Sequence, residues 1–276
     1  RIVNLTAGPA RAVRKDDLWP LMPAFLNELV GFALRDGARY DVAHGNFWMS
    51  GWVAGRLRRA LDIPAVQLFH ALGMTKRRHQ GAADTSPPDR IATERAIVRT
   101  VDRVIASCPH EMDALIAEYG AVPSRIEMIP LGVDCTAFRP VERDLARLRT
   151  GLPLDPDDPV VVYVGRILPR KDVRNVIRAL ARLPGIDPDR GGRCKLVVVG
   201  GDSRQPDPAV TPELGELQRL AAELGVADRV FFTGKRSKDE LRDYYGAGDV
   251  AVTTPWYEPF GLTPLEAMAC ATPVVA

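Results

Sequence analysis

Four times in the second half of this chain, a run of β-branched residues breaks off at a turn and a helical pattern follows. Val160-Val-Val-Tyr-Val164 stops at Gly165, Lys195-Leu-Val-Val-Val199 at Gly200 and Gly201, Arg229-Val-Phe-Phe-Thr233 at Gly234, and Asp249-Val-Ala-Val-Thr-Thr254 runs into a turn ending at Gly261. Runs that are apolar throughout belong to strands covered on both faces, and helices between successive strands make the sheet parallel. The first half repeats the scheme with strands expected at 41–44, 65–69, 102–107 and 126–130 and helices at 19–34, 51–61, 90–101 and 110–119. The pattern predicts an α/β chain of two Rossmann-like, doubly wound domains, 1–140 and 158–276, facing one another across a cleft at the carboxyl ends of their strands. A Pro-, Asp- and Arg-rich stretch at roughly 136 to 157 is the expected linker.

Composition narrows the chemistry. With 37 basic and 35 acidic residues the net charge is +2, so no global field favours nucleic acid or an anionic membrane. Cys108, Cys135, Cys194 and Cys270 are scattered without a Cys-x-x-Cys pair, as expected of reduced thiols in a cytoplasmic protein. Asp155-Pro-Asp157 and Asp187-Pro-Asp189 read as turns rather than metal ligands, and no His/Cys cluster has metal spacing. No Gly-x-Ser-x-Gly elbow and no Walker loop occurs, which removes the common hydrolase and P-loop readings. No apolar run reaches membrane-spanning length, no leader is visible, and no feature specifies an oligomeric state. The chain starts at Arg1 and stops inside the apolar run Pro273-Val-Val-Ala276, so both edges read as cuts in a longer protein.

Chemistry is expected where strands end. Glu258-Pro-Phe-Gly-Leu-Thr-Pro-Leu-Glu266 joins a strand to a helix, with Gly261 leaving backbone N–H groups free for a phosphate and two carboxylates suited to accept from hydroxyls. Thr263-Pro-Leu-Glu266 is equally a capping box with Pro264 at the first helical position, and that alternative stays open for Glu266. Gly165-Arg166-Ile-Leu-Pro-Arg-Lys171 puts two cations beside a helix amino terminus, where they would offset the desolvation of a diphosphate or simply remain on the surface. In the first half, His70-Ala-Leu-Gly73 and the following Thr-Lys76-Arg77-Arg78 form the expected loop after the second strand. The three cations are either a solvated run or a site for a phosphorylated acceptor.

Taken together, the two glutamates with seven residues between them, Arg166, Lys171 and the His70 loop resemble the retaining, nucleotide-sugar-dependent glycosyltransferases of family four. Within them the loop is similar to the branch containing sucrose-phosphate synthase and the mycothiol-pathway N-acetylglucosaminyltransferase. The resemblance implies a GT-B fold, truncated here at both ends, and transfer of a sugar from a UDP-, ADP- or GDP-sugar to a hydroxyl acceptor without a metal or other cofactor. It implies that Glu258 and His70 contact the transferred sugar, that Glu266 holds the ribose, and that Gly165, Arg166, Lys171, Phe260, Gly261, Leu262 and Thr263 surround the donor. Lys76, Arg77, Arg78 and Glu94 would serve the acceptor, Glu94 and Arg95 lying on a helix that faces the cleft in similar enzymes. The family is thought to proceed by front-face displacement, so Glu258 is not expected to be a nucleophile. Asn46, Asp172 and Ala271 depart from the family, which often has histidine at the first position and glycine at the other two. A sugar-nucleotide epimerase or a silent sugar-nucleotide-binding protein are the rival readings.

Overall fold

A computed structural model describes residues 2–258 and 260–276. It divides into two compact units, Arg1–Leu131 and Gly132–Ala276.

In the first unit a 3-10 stretch, Lys15–Leu21, leads into α1 (Met22–Arg35), followed by β1 (Ala43–Asn46), α2 (Trp48–Leu61), β2 (Ala65–Leu68), α3 (Gly73–Gln80), α4 (Arg90–Thr100), β3 (Arg103–Ala106), α5 (Pro109–Tyr119) and β4 (Ile126–Met128). The strands form one parallel sheet in the order β1-β2-β3-β4. Trp48, Phe69, Ile97 and Leu115 are buried in its core, and Trp19 packs on Trp48 and Trp52 with ring centres 4.5 and 5.5 Å away, fixing the approach to α1. Two expectations shift here. The strand expected at 41–44 lies at 43–46, so Asn46 is its last residue. The loop expected from His70 through Arg78 is helical from Gly73, because groups distant in sequence satisfy the amide donors that open α3: the Glu94 carboxylate accepts from Gly73 N–H and the Tyr119 hydroxyl from Met74 N–H.

The second unit contains α6 (Arg143–Thr150), β5 (Val160–Val164), α7 (Val173–Ile186), the short α8 (Pro188–Arg193), β6 (Lys195–Val199), α9 (Pro212–Glu223), β7 (Val230–Gly234), α10 (Lys238–Ala247), β8 (Val250–Val252), α11 (Leu262–Ala269) and β9 (Val274–Val275). Its parallel sheet runs β7-β6-β5-β8-β9. Both faces are covered, which is why its strands are valine-rich without alternation. Tyr163, Leu196 and Val198 pack with α7 and α9, while Val160, Val162, Val197 and Val199 pack with Tyr244 of α10. Val173, Val176, Ile177 and Leu180 form the buried stripe of α7 at helical spacing. Ser237 and Glu240 form a capping box at the start of α10.

The stretch 136–157 is not a bare linker. It contributes α6 to this unit, with Ala146 and Arg147 buried. The Arg147 guanidinium donates to the carbonyl oxygens of Ala247, Asp155, Pro156 and Asp158 and to the Asp249 carboxylate, at 2.6 to 3.2 Å. A buried guanidinium with its donors engaged ties the stretch to the sheet. Among the described residues, no helix is long and apolar enough to cross a membrane.

Candidate functional site

In the second sheet, β5 leads to β6 on one side and β8 to β9 on the other, so the connections leaving β5 and β8 diverge from adjacent strands. Such a switch point opens a crevice at the carboxyl end of a parallel sheet. The Gly165–Lys171 loop leaves β5 there, and the segment reaching Glu258 leaves β8. Several contacts join them. Trp256 N–H donates to the Arg170 carbonyl at 2.9 Å, Thr254 Oγ1 donates to the Asp172 carbonyl at 2.9 Å, the Arg170 guanidinium lies 5.2 Å from the Tyr257 ring centre, and Lys171 forms an ion pair with Glu258. Arg166 is exposed, and its guanidinium has no ion pair or hydrogen bond to the described residues.

Close backbone approach explains the glycines at this edge. A Cβ on Gly165 would lie 2.9 Å from the Tyr163 hydroxyl, which itself donates to the Arg166 carbonyl at 3.1 Å. A Cβ on Gly200 would lie 1.9 Å from the Gly165 carbonyl oxygen. Asp172, where the family commonly has glycine, adopts the left-handed conformation at φ 49°, which aspartate tolerates better than most residues.

Helix α11 starts at Leu262, with Gly261 as its left-handed cap at φ 89°. This corrects the capping-box alternative: Pro264 is the third helical residue, and the Glu266 carboxylate does not cap the helix. Its Oε2 accepts from the Tyr245 hydroxyl at 2.8 Å, while Oε1 accepts nothing from the described residues. Burial pushes the Glu266 carboxyl above the usual glutamate range, and the Tyr245 hydrogen bond opposes that shift. The first-turn amides of α11 have no partner four residues earlier in the helix and are available to an anion. Phe260 and Thr263 are half-buried and Leu262 is exposed.

At the corresponding edge of the first sheet, two residues adopt backbone conformations that favour glycine. Phe47, just after β1, has φ 73° and ψ 156°, and His70, just after β2, has φ 60°. Such positions cost roughly 1–3 kcal/mol each and persist only where their surroundings hold them. Phe47 N–H donates to the Leu68 carbonyl at 2.9 Å, and the Phe47 carbonyl accepts from the buried Gln67 side chain at 3.2 Å. His70 Nε2 lies 3.1 Å from Asn46 Oδ1, and His70 is exposed rather than buried against a backbone partner.

Glu94, expected among the acceptor residues, is fully buried and corrected to a structural role. It accepts from Arg90 Nε at 2.8 Å, Tyr119 Oη at 2.8 Å and Gly73 N–H at 2.9 Å, which leaves its carboxylate no access to a ligand. Arg90 also donates to the Ala71 carbonyl at 2.7 Å, so this ion pair holds the segment after His70. Arg95, beside it, donates to the Glu118 carbonyl at 3.1 Å. Lys76, Arg77 and Arg78 lie on α3 and already face carboxylates: Asp84 is 3.0 Å from Lys76 and 3.8 Å from Arg77, and Glu118 pairs with Arg78. Sequence reasoning missed Gln67, Arg90, Tyr119 and Tyr245, whose polar atoms act on partners brought near only by the fold. Among the described residues, no group of three or more His, Cys, Asp or Glu side chains could hold a metal ion.

Comparison with known proteins supplies the lineage. Residues 2–137 match the model of Glycosyltransferase Family 4, and residues 146–276 match that of Glycosyl transferases group 1. The chain belongs to the family-four glycosyltransferases. It is 39% identical over 276 residues to D-inositol 3-phosphate glycosyltransferase 1 of Catenulispora acidiphila, covering 99% of this chain and 63% of that protein. It is 37% identical over 279 residues to the D-inositol 3-phosphate glycosyltransferase of Mycolicibacterium smegmatis, covering 99% and 60%. Sucrose-phosphate synthase from Thermosynechococcus elongatus superposes with a TM-score of 0.83 at 32% identity, covering 99% of this chain and 64% of that one. The HepE protein of Anabaena, solved with UDP-glucose, shares the fold with a TM-score of 0.74 at 23% identity, covering 99% and 65%. Both units therefore have the Rossmann-like architecture of GT-B glycosyltransferases. The family-four chain described here spans less than two thirds of the length of these curated relatives.

Proposed function

We propose that the full-length protein is a retaining glycosyltransferase that moves a sugar from a nucleoside diphosphate sugar to a hydroxyl of a small phosphorylated acceptor. The observation that carries the donor half is the switch point of the second sheet, where the loop bearing Arg166 and Lys171 is joined through the Lys171–Glu258 ion pair to the segment that leads into the amino terminus of α11. These donors suit a diphosphate, and the free oxygen of Glu266 suits ribose hydroxyls. Family membership, together with relatives named for inositol 3-phosphate, supports the phosphorylated acceptor. The Anabaena HepE protein, solved with UDP-glucose, makes UDP the first nucleotide to test, ahead of ADP and GDP.

In this reading the first domain serves the acceptor and the second the donor. The acceptor oxygen bonds to the anomeric carbon on the face from which the diphosphate leaves. The electron pair of the broken bond goes to the diphosphate, and the acceptor proton passes to one of its oxygens. Arg166 and Lys171 offset the charge that develops there, as fixed cations without a metal ion. His70 and Glu258 orient the sugar. Lys76, Arg77 and Arg78 reach an acceptor phosphate only by exchanging their present carboxylate partners. The scattered cysteines, with no Cys-x-x-Cys pair among them, support a cytoplasmic location.

The test is a thermal-shift titration of the full-length protein with UDP, ADP and GDP, alongside Arg166→Ala and Glu266→Ala. Ligand at a hundredfold excess over its dissociation constant stabilises by about 2.7 kcal/mol. One nucleotide should raise Tm, and both substitutions should abolish the rise. A shift that survives both substitutions rejects this donor site, and product analysis showing an epimer without transfer rejects the reaction.

A further inference from the structure

Tyr245 is almost wholly buried on α10, yet its hydroxyl is directed at Glu266 on α11, 21 positions later. Its ring packs with Phe138, centre to centre 6.2 Å, and its carbonyl accepts from Thr272 Oγ1 at 2.8 Å. Ring and backbone are thus both held, and the hydroxyl has little freedom to turn elsewhere. The bond engages one carboxylate oxygen of Glu266 and leaves the other without a partner among the described residues.

We propose that Tyr245 is a positioning residue for nucleotide binding: it fixes the Glu266 carboxylate so that its free oxygen accepts from the vicinal hydroxyls of a ribose. This rests on the donor-site reading above and extends it to a residue that touches no ligand. A carboxylate held by one buried donor presents its second oxygen in one direction, and the ligand need not pay to order it. The hydroxyl also favours the ionised form of Glu266, which accepts at both oxygens, against the burial that disfavours it. Few other titratable groups bear on Glu266. Lys238 of α10 favours its charge, the buried Cys270 follows directly after α11, and Asp134, in the segment preceding Phe138, lies in the field of Lys238. From β9 and that segment, Val274, Val133, Ala137 and Phe138 pack against this core.

The experiment uses the full-length protein and UDP, ADP and GDP as probes, with Tyr245→Phe, Glu266→Gln, Glu266→Ala and the double variant Tyr245→Phe/Glu266→Gln. Tyr245→Phe should weaken nucleoside diphosphate binding about tenfold and raise KM for the sugar donor to match, while kcat changes by less than about threefold. Its loss of affinity on acidification should begin at a higher pH than in the wild type, because the bond that held the carboxylate ionised is gone. In the Glu266→Gln background the added substitution should weaken binding by less than about twofold, since Tyr245 acts through Glu266. A purely structural tyrosine would instead lower Tm with an unchanged pH profile, and its effect would persist in the double variant; either result overturns the proposal. If Glu266→Ala leaves binding intact, the donor-site reading fails and takes this one with it. If Glu266→Ala abolishes binding while Tyr245→Phe binds like the wild type, only the role of Tyr245 is lost.

Discussion

Lys171 and Glu258, 87 positions apart in the chain, are ion-paired at the switch point of the second sheet. The donor reading gives Lys171 to the diphosphate and Glu258 to the sugar, so in the unliganded protein one ligand-binding group occupies the other. A partly exposed pair of this kind contributes about 1 kcal/mol or less, which is up to about fivefold in an equilibrium. Glu258→Gln frees Lys171 and should tighten binding of the nucleoside diphosphate by about two- to fivefold, while turnover of the sugar donor falls at least tenfold. Lys171→Met should weaken both. Calorimetric titration with the nucleotide alone separates these signs, and weaker nucleotide binding by Glu258→Gln would show that the pair preorganises the site instead.

His70 concerns the other unit and a different kind of tension. Its left-handed backbone at φ 60° is one that glycine adopts freely. Replacing it relieves the strain but enlarges the freedom of the unfolded chain, for a net gain of about 0.5–1 kcal/mol. His70→Gly should therefore unfold at a slightly higher urea concentration while sugar transfer falls by at least a hundredfold. A destabilised variant would mean that the contact with Asn46 matters more to the fold than the backbone strain does.

Arg147 tests whether α6 belongs to the second unit. Its guanidinium lies among four carbonyl oxygens and the Asp249 carboxylate, and apolar substitution would strand several of them. Arg147→Met should cost about 3–5 kcal/mol in urea unfolding. A true linker residue would change stability by less than about 0.5 kcal/mol.

The same residue marks where sequence reading stops. The strands were legible because a sheet covered on both faces demands unbroken β-branched runs, and Val160–Val164 or Lys195–Val199 fit little else. Arg147 stands among Arg143 and Arg149 in a polar stretch, and its Ala247 partner is 100 positions away, so nothing local distinguishes a buried guanidinium from a solvated one. Glu266 poses the same difficulty in reverse. Thr263-Pro-Leu-Glu266 satisfies the rule for a cap, and only the hydroxyl of Tyr245 shows that the carboxylate is used elsewhere. Glu94 matched a family position yet folded inward, because Arg90, Tyr119 and the amide of Gly73 together outcompete solvent for it.

Asp102 supplies a prediction whose sign follows from its surroundings. Its carboxylate accepts from Arg58 Nε at 2.7 Å and Arg58 Nη2 at 2.9 Å, and from Ala65 N–H at 2.8 Å, tying α2 and the start of β2 to the residue just before β3. The Arg58 hydrogen bonds, then the amide, bring its carboxyl down from 3.8 to about 2. A carboxyl depressed by folding adds stability above its unfolded value, and that contribution is lost as pH falls through the folded one. The window is therefore from about pH 4 down to about pH 2. Because the pair is partly exposed and screened by salt, its contribution is small, about 1 kcal/mol or less at moderate ionic strength. Asp102→Asn should be less stable than the wild type at pH 7, and the difference should shrink steadily across that window. Urea unfolding at several pH values measures it; a gap that stays constant to pH 2 would assign the loss to geometry at Ala65 rather than to the charge.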